Sequence, residues 1–221
     1  MHIFDGDVVE EKNLARQAFT MEDVGRNKAA VMAEILNETF DLSFVAHDIY
    51  VTKKEQIVKS FSKSVSNVPV VPVFISCVDN HACRLLLEQI YESVDNCILF
   101  DSGNEFTTGE VVYAYKSDKV SYGLLRSGYF PDVKEGDLRN REEMSCEELN
   151  SVSPQHIFTN MVAGNLLCSG LANLFDGKIT PGFAYFNALS YSCDFVPYKG
   201  EPIPDKKEPE EKSAKKRKAS K

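Results

Sequence analysis

The run Val68 to Ile75, VPVVPVFI, is apolar at successive positions. Such a run reads as a strand that must be covered on both faces, because either face left in water would expose aliphatic side chains. It therefore predicts the centre of a sheet. Polar SCVDN follows, then a helix from about Asn80 to Ser93 and a second apolar strand, CILFDSG. Upstream, HIF reads as a short strand entering the acidic loop DGDVVEEKN. From Thr20 to about Phe40, the residues Val24, Ala29, Val31, Met32, Ile35 and Leu36 recur at helical spacing, with Thr20 and Asp23 offering N-cap chemistry. Asp41 to Val51 is alternating and β-rich, and Lys53 to Lys63 is helical. The order β-α-β-α-β-α-β predicts an α/β fold with a mostly parallel sheet. After Gly109, EVVYAYK and VSYGLLR, joined by SDK, predict an antiparallel extension. A polar crossing loop near residues 127 to 153, a packed helix from Gln155 to Phe175 and a last strand around Phe183 to Val196 complete the reading.

Composition limits what this fold can serve. A chain of 221 residues holds one principal core, here assigned to residues 1–196. From Pro197 order is expected to fade, because residues 197–221 are rich in Pro, Glu and Lys and poor in aliphatics. A net charge of −8 argues against nonspecific nucleic-acid binding, and the basic KSAKKRKASK reads as a solvated tail. No apolar run of the roughly 18 residues that span a bilayer is expected, and MHIFDGDVVEEKN carries acid where a secretory signal carries base. A cytoplasmic protein that binds neither membrane nor nucleic acid is the expectation. The six cysteines form no CxxC pair, which predicts reduced thiols.

Three short segments carry chemistry. Asp5, at a strand end in IFDGD, is placed either to hydrogen-bond ribose hydroxyls or to form a turn. Asn13, Arg16 and Gln17, in NLARQ, combine a fixed planar cation with two amides, a set that grips phosphate oxygens. Taken in isolation, an arginine such as Arg16 is more often a solvated residue at a helix start. Lys28, in DVGRNKA, lies one turn into the long helix beside Gly25, as a phosphate cation or as a surface lysine. Asp79, in SCVDNHACR, follows the central strand, where ligands of open α/β sheets bind. It suits a magnesium carboxylate or the N-cap of the next helix.

Together, DGDVVEEKNLARQ, DVGRNKA and SCVDN, in this order, resemble the adenylation domain of the ThiF/MoeB and ubiquitin-activating-enzyme superfamily. The resemblance covers roughly residues 1 to 116, and the helix MVAGNLLCSGLANLF matches more loosely. It implies a Rossmann-like sheet, binding of ATP and Mg2+, and adenylation of the C-terminal carboxylate of a ubiquitin-like or sulfur-carrier protein with release of pyrophosphate. By matching positions, Asp5 would hold the ribose. Asn13, Arg16, Gln17 and Lys28 would hold phosphates, with Arg16 and Lys28 stabilising charge in the transition state, and Asp79 would bind magnesium.

The family's first strand, its glycine-rich loop of the form GxGGxG and the helix that follows have no counterpart ahead of Asp5. An exposed strand edge inside the sheet is therefore expected, together with either a homodimer or a chain that supplies the loop. The alternative is a noncatalytic binding subunit, or a fragment that needs a partner for nucleotide binding. Cys146, in EEMSCEELN, is the candidate for holding the carrier as a thioester, although the surrounding acids disfavour its thiolate. Cys77, Cys83, Cys97, Cys168 and Cys193 read as small core residues. The family's paired zinc cysteines lack counterparts, so no structural zinc is expected.

Overall fold

A computed structural model of the chain describes residues 1–61, 70–135, 139 and 156–205. Its first corrections concern helix starts. The Asp23 carboxylate accepts from the Thr20 N–H (2.8 Å) and the Thr20 hydroxyl (2.9 Å), but this pair stabilises a separate 3₁₀ turn, Met21–Asp23. Gly25 follows at φ +87, a left-handed conformation that ends any helix. Helix α1, Lys28–Phe40, begins only after Asn27, whose side chain accepts from the Ala30 N–H at 2.9 Å. Lys28 is thus the first residue of its helix rather than one turn in.

Two sheets result. Strand β1 (His2–Phe4) pairs in parallel with β2 (Val45–His47). After α2 (Lys54–Phe61), the larger sheet begins with β3 (Val73–Ser76), parallel to β4 (Cys97–Asn104) across α3 (His81–Ser93). Beyond β4 every pairing is antiparallel. β5 (Thr108–Ser117) pairs with β4, with β6 (Val120–Tyr122) and with β7 (Gly182–Asn187), and β7 pairs with β8 (Ser192–Pro197). The architecture is the α/β class with an antiparallel extension read from the sequence, but the extension outweighs the rest, since among the described residues only β1–β2 and β3–β4 are parallel. The SDK turn is a tight hairpin with Asp118 (φ 49) and Lys119 (φ 66) both left-handed, the geometry that matches strand twist. The last strand is in fact the β7–β8 hairpin.

β3 lies at the edge of its sheet, not at the centre. Pro72 lacks the N–H a ladder needs, which delays the strand to Val73. Phe74 and Ser76 are buried, while Val73 (39%) and Ile75 (46%) are exposed on the opposite face. Among the described residues β1 and β3 each pair on one side only, which is the open edge expected beside β1. Phe4 of β1 nevertheless packs against the same apolar cluster as Phe74, with Ile57, Cys83, Leu87, Ile90, Tyr91 and Leu99. Each such fully buried large side chain contributes about 1.5–3 kcal/mol, so this core ties the two sheets together.

The other face of the larger sheet carries α5 (Ile157–Phe175), whose Leu167 joins Ile98, Phe100, Val111, Tyr113 and Ala184 in a second core. Gly170 is required there, since a Cβ would lie 2.6 Å from the Tyr113 ring. α5 has no charged residue and, at 19 residues, is long and apolar enough by length and composition to cross a bilayer. This corrects the expectation that no such run exists, but the helix packs across β4, β5 and β7. Nor does order end at Pro197. Strand β9, Ile203–Pro204, pairs with β6, and Asp205 meets the buried Lys116 ammonium at 2.8 Å.

The cysteines divide differently from expectation. Cys83 and Cys97 are buried core residues, whereas Cys77, Cys168 and Cys193 are exposed. Cys146 lies outside the described residues. Burial pushes the Cys83 thiol up to about 11 and that of Cys97 to about 12, so both stay protonated and unreactive near neutrality. Alkylation of the native chain at pH 8, read by peptide mass spectrometry, should label Cys168 and Cys193 and spare Cys83 and Cys97 until denaturant is added.

Candidate functional site

The loop after β1 and the loop before α1 are zipped together. Val9 N–H donates to the Arg26 carbonyl (2.8 Å), Gly25 N–H to the Val9 carbonyl (2.8 Å) and Lys28 N–H to the Asp7 carbonyl (2.9 Å). Asn27 adds side-chain bonds from its amide to the carbonyls of Asp5 (2.7 Å) and Asp7 (3.1 Å). Two motifs distant in sequence thereby become one rigid body at the carboxyl end of β1. The Asp5 carboxylate accepts from the Asp7 N–H at 2.9 Å, so it forms the turn that was one of its two expected roles. Gly6 is constrained by closeness, since a Cβ there would sit 2.7 Å from the Tyr50 ring.

Lys28 does not face water. Its ammonium pairs with Asp7 at 3.0 Å, the two side chains being 12% and 16% exposed, and Tyr50 OH donates to the other Asp7 oxygen at 2.7 Å. Asp7 and Tyr50 are site residues that sequence reasoning missed, although Asp7 stands in the same DGD as Asp5.

NLARQ starts at the last residue of a 3₁₀ turn, Glu11–Asn13, and runs on from its end. Asn13 is 2% exposed, and its side-chain carbonyl accepts from the Glu10 N–H at 2.9 Å. It shapes the turn on which Arg16 and Gln17 stand, and both of their N–H groups donate to the Asn13 carbonyl, at 3.0 and 2.9 Å. Arg16 has no side-chain partner among the described residues. The Gln17 side-chain oxygen is buried with no hydrogen bond among the described residues. An orphaned buried acceptor costs about 1–3 kcal/mol, and a carbonyl oxygen is met by a hydroxyl or an N–H, not by a phosphate oxygen. The Arg16 guanidinium, a planar set of donors, is the group of this segment that fits a nucleotide phosphate.

Asp79 lies in the turn between β3 and α3. The cap of α3 is Asn80, whose side chain accepts from the Cys83 N–H at 2.8 Å, so Asp79 is exposed and is not the N-cap. Behind the turn lies a buried charge network invisible in sequence. Arg84 and Arg126 both donate to the Asp101 carboxylate, with side-chain exposures of 7%, 6% and 4%. Burial, then the charges of Arg84 and Arg126, hold His81 below the usual 6.5, and its Nδ1 is buried without a partner among the described residues. The helical period placed Arg84 on α3, but no spacing signal connects it to Asp101 or Arg126.

A search of curated proteins returns no match. Solved structures do match. E. coli MccB crystallised with AMPCPP and MccA aligns with a TM-score of 0.61 at 16% identity, over 89% of this chain and 55% of that one. E. coli MccB with ATP aligns at 0.60 and 17% identity, over 92% and 57%. PaaA aligns at 0.59 and 11% identity, over 88% and 63%. The chain thus spans between 55% and 63% of these solved relatives, and at such identities the likeness is one of fold. The ThiF family profile, by contrast, matches the sequence itself over residues 1–202. The chain, with its zipped Asp5–Lys28 loops and the turn after β3, belongs to the ThiF family.

Proposed function

We propose that this chain is an ATP-dependent adenylyltransferase acting on the C-terminal carboxylate of a ubiquitin-like or sulfur-carrier protein. The observation that carries the reading is the joining of the two loops, which holds Asp5 and Lys28 on one body, with Arg16, a cation without a side-chain partner among the described residues, on the loop between them. ATP supplies an electrophilic α-phosphate and pyrophosphate as leaving group. The protein's part is positional and electrostatic, because attack of a carboxylate on a phosphate brings anions together. Asp5 accepts from ribose hydroxyls. Arg16 and Gln17 hold phosphate oxygens, Lys28 adds charge at the start of α1, where the helix dipole has the same sign, and Asp79 holds Mg2+. The MccB structures with ATP, and with AMPCPP and MccA, support a nucleotide and a polypeptide substrate.

The open edges of β1 and β3 support pairing with a strand that brings a glycine-rich loop, from a partner chain or from a longer form of this protein. A homodimer is the second assembly proposed, and the cytoplasm is the proposed compartment. One observation favours the noncatalytic reading, namely the Lys28–Asp7 ion pair, which cancels a charge the phosphates would need. Calorimetric titration of Mg·ATP separates the two. If the site holds nucleotide, the wild type binds and Asp5→Ala binds at least about tenfold more weakly, the equivalent of about 1.4 kcal/mol. Carrier binding without nucleotide binding would instead select the noncatalytic subunit.

A further inference from the structure

The turn that carries Asp79 is held from behind by a carboxylate that also holds the next helix. Arg84, on α3, donates from Nη2 to the Val78 carbonyl, one residue before Asp79, and from Nη1 to Asp101 Oδ1 and the Ser102 carbonyl (2.8 Å). The second Asp101 oxygen accepts from Arg126 Nε at 2.9 Å. Arg126 opens α4, Arg126–Tyr129. Its Nη2 donates to the carbonyls of Asp101 and Glu110, both at 3.0 Å, and its Nη1 lies 3.5 Å from the Glu110 carboxylate. Ser127 fixes the same turn to α3, donating from N–H and hydroxyl to the two oxygens of Glu88 at 2.8 and 2.6 Å. Arg84 and Glu88 stand four residues apart and are both buried on α3, so α4 and the Asp79 turn are fastened to the same side of one helix. Gly103 makes room for this arrangement, since a Cβ there would lie 2.8 Å from Arg126 Nη1.

A guanidinium fork that grips a carboxylate and two backbone carbonyls in a water-poor interior has one good geometry. If α4 shifts, Arg126 carries Asp101 with it. Asp101 then releases Arg84, and Arg84 releases the Val78 carbonyl. We propose that Asp101 is a positioning residue that couples α4 to the Asp79 turn, so that the placement of α4 sets the alignment of the magnesium carboxylate. The magnesium part rests on the function proposed above, whereas the mechanical coupling does not.

Arg126→Lys tests both parts, because lysine keeps the charge beside Asp101 but loses the fork. Amide hydrogen exchange of the full chain is read without ligand over residues 76–83, residues 124–135 and, as a remote control, residues 28–40. The coupling predicts that exchange over 76–83 accelerates about tenfold together with 124–135 while 28–40 is unchanged. Acceleration confined to 124–135 overturns the coupling, as does equal acceleration of all three segments. In the same variant, the Mg2+ concentration that half-saturates ATP binding should rise about tenfold, as when other outer-shell supports of metal ligands are lost, with metal-free ATP affinity unchanged. An unmoved Mg2+ midpoint overturns the assigned purpose of the coupling. A wild type whose ATP binding ignores Mg2+ instead refutes the role of Asp79, and exchange alone then decides the coupling.

Discussion

Replacing Asp101 with alanine is expected to lower the unfolding free energy by about 3–5 kcal/mol, because breaking a buried ion pair leaves uncompensated charge in the interior. Here the charge left behind is double. Arg84 and Arg126 are 7% and 6% exposed, and each uses an Asp101 oxygen. Of the remaining acids, Glu110 stands 3.5 Å from Arg126 and Asp79 is the next charge that favours Arg84. Burial already disfavours the charged form of Arg84, an effect opposed first by Asp101. Urea unfolding measures the loss. The midpoint should fall sharply with little change in slope, whereas alanine at the exposed Asp194 should stay within about 0.5 kcal/mol of wild type. Equal midpoints for the two variants would mean that the network carries no net stability.

Arg16→Ala should act in the opposite manner, on chemistry rather than on stability. Its side chain has no partner among the described residues, so its removal orphans no buried group and the urea midpoint should hold. Carrier-dependent exchange of pyrophosphate into ATP should nevertheless fall by about 100- to 1,000-fold, the usual loss when one preorganised donor to transition-state charge is deleted. ATP affinity should fall much less, since a contact that strengthens in the transition state affects rate more than ground-state binding. Arg16→Lys should recover only part of the rate, because an ammonium lacks the planar fork. A loss confined to ATP affinity would make Arg16 a binding residue alone.

How much of this was legible in the sequence differs by element. The helices α3 and α5 announced themselves because each couples a helical period to one buried face, and CILFDSG because it is a short apolar run, here buried on both faces. The run VPVVPVFI misled, since its prolines remove N–H groups and a continuous apolar stretch does not reveal which face stays bare. Thr20 and Asp23 misled for a related reason, as their capping bonds serve a 3₁₀ turn as well as an α-helix. At the site, the segments IFDGD, NLARQ, DVGRNKA and SCVDN could be read as motifs. Long-range partners could not. Nothing between Lys28 and Tyr50 signals that both meet Asp7, and Arg126 reaches Asp101 only because β5 and β6 return the chain to α3.

The most direct test of the central claim is ATP–pyrophosphate exchange by the full chain with Mg2+. It is run with candidate ubiquitin-like proteins, with and without an added strand-and-loop segment to occupy the open edges of β1 and β3. The account predicts exchange that requires a carrier with an intact C-terminal carboxylate and that disappears in Arg16→Ala and Asp79→Ala. A folded chain, so supplied, that binds the carrier but exchanges no pyrophosphate would contradict the claim and leave a noncatalytic member of the ThiF family.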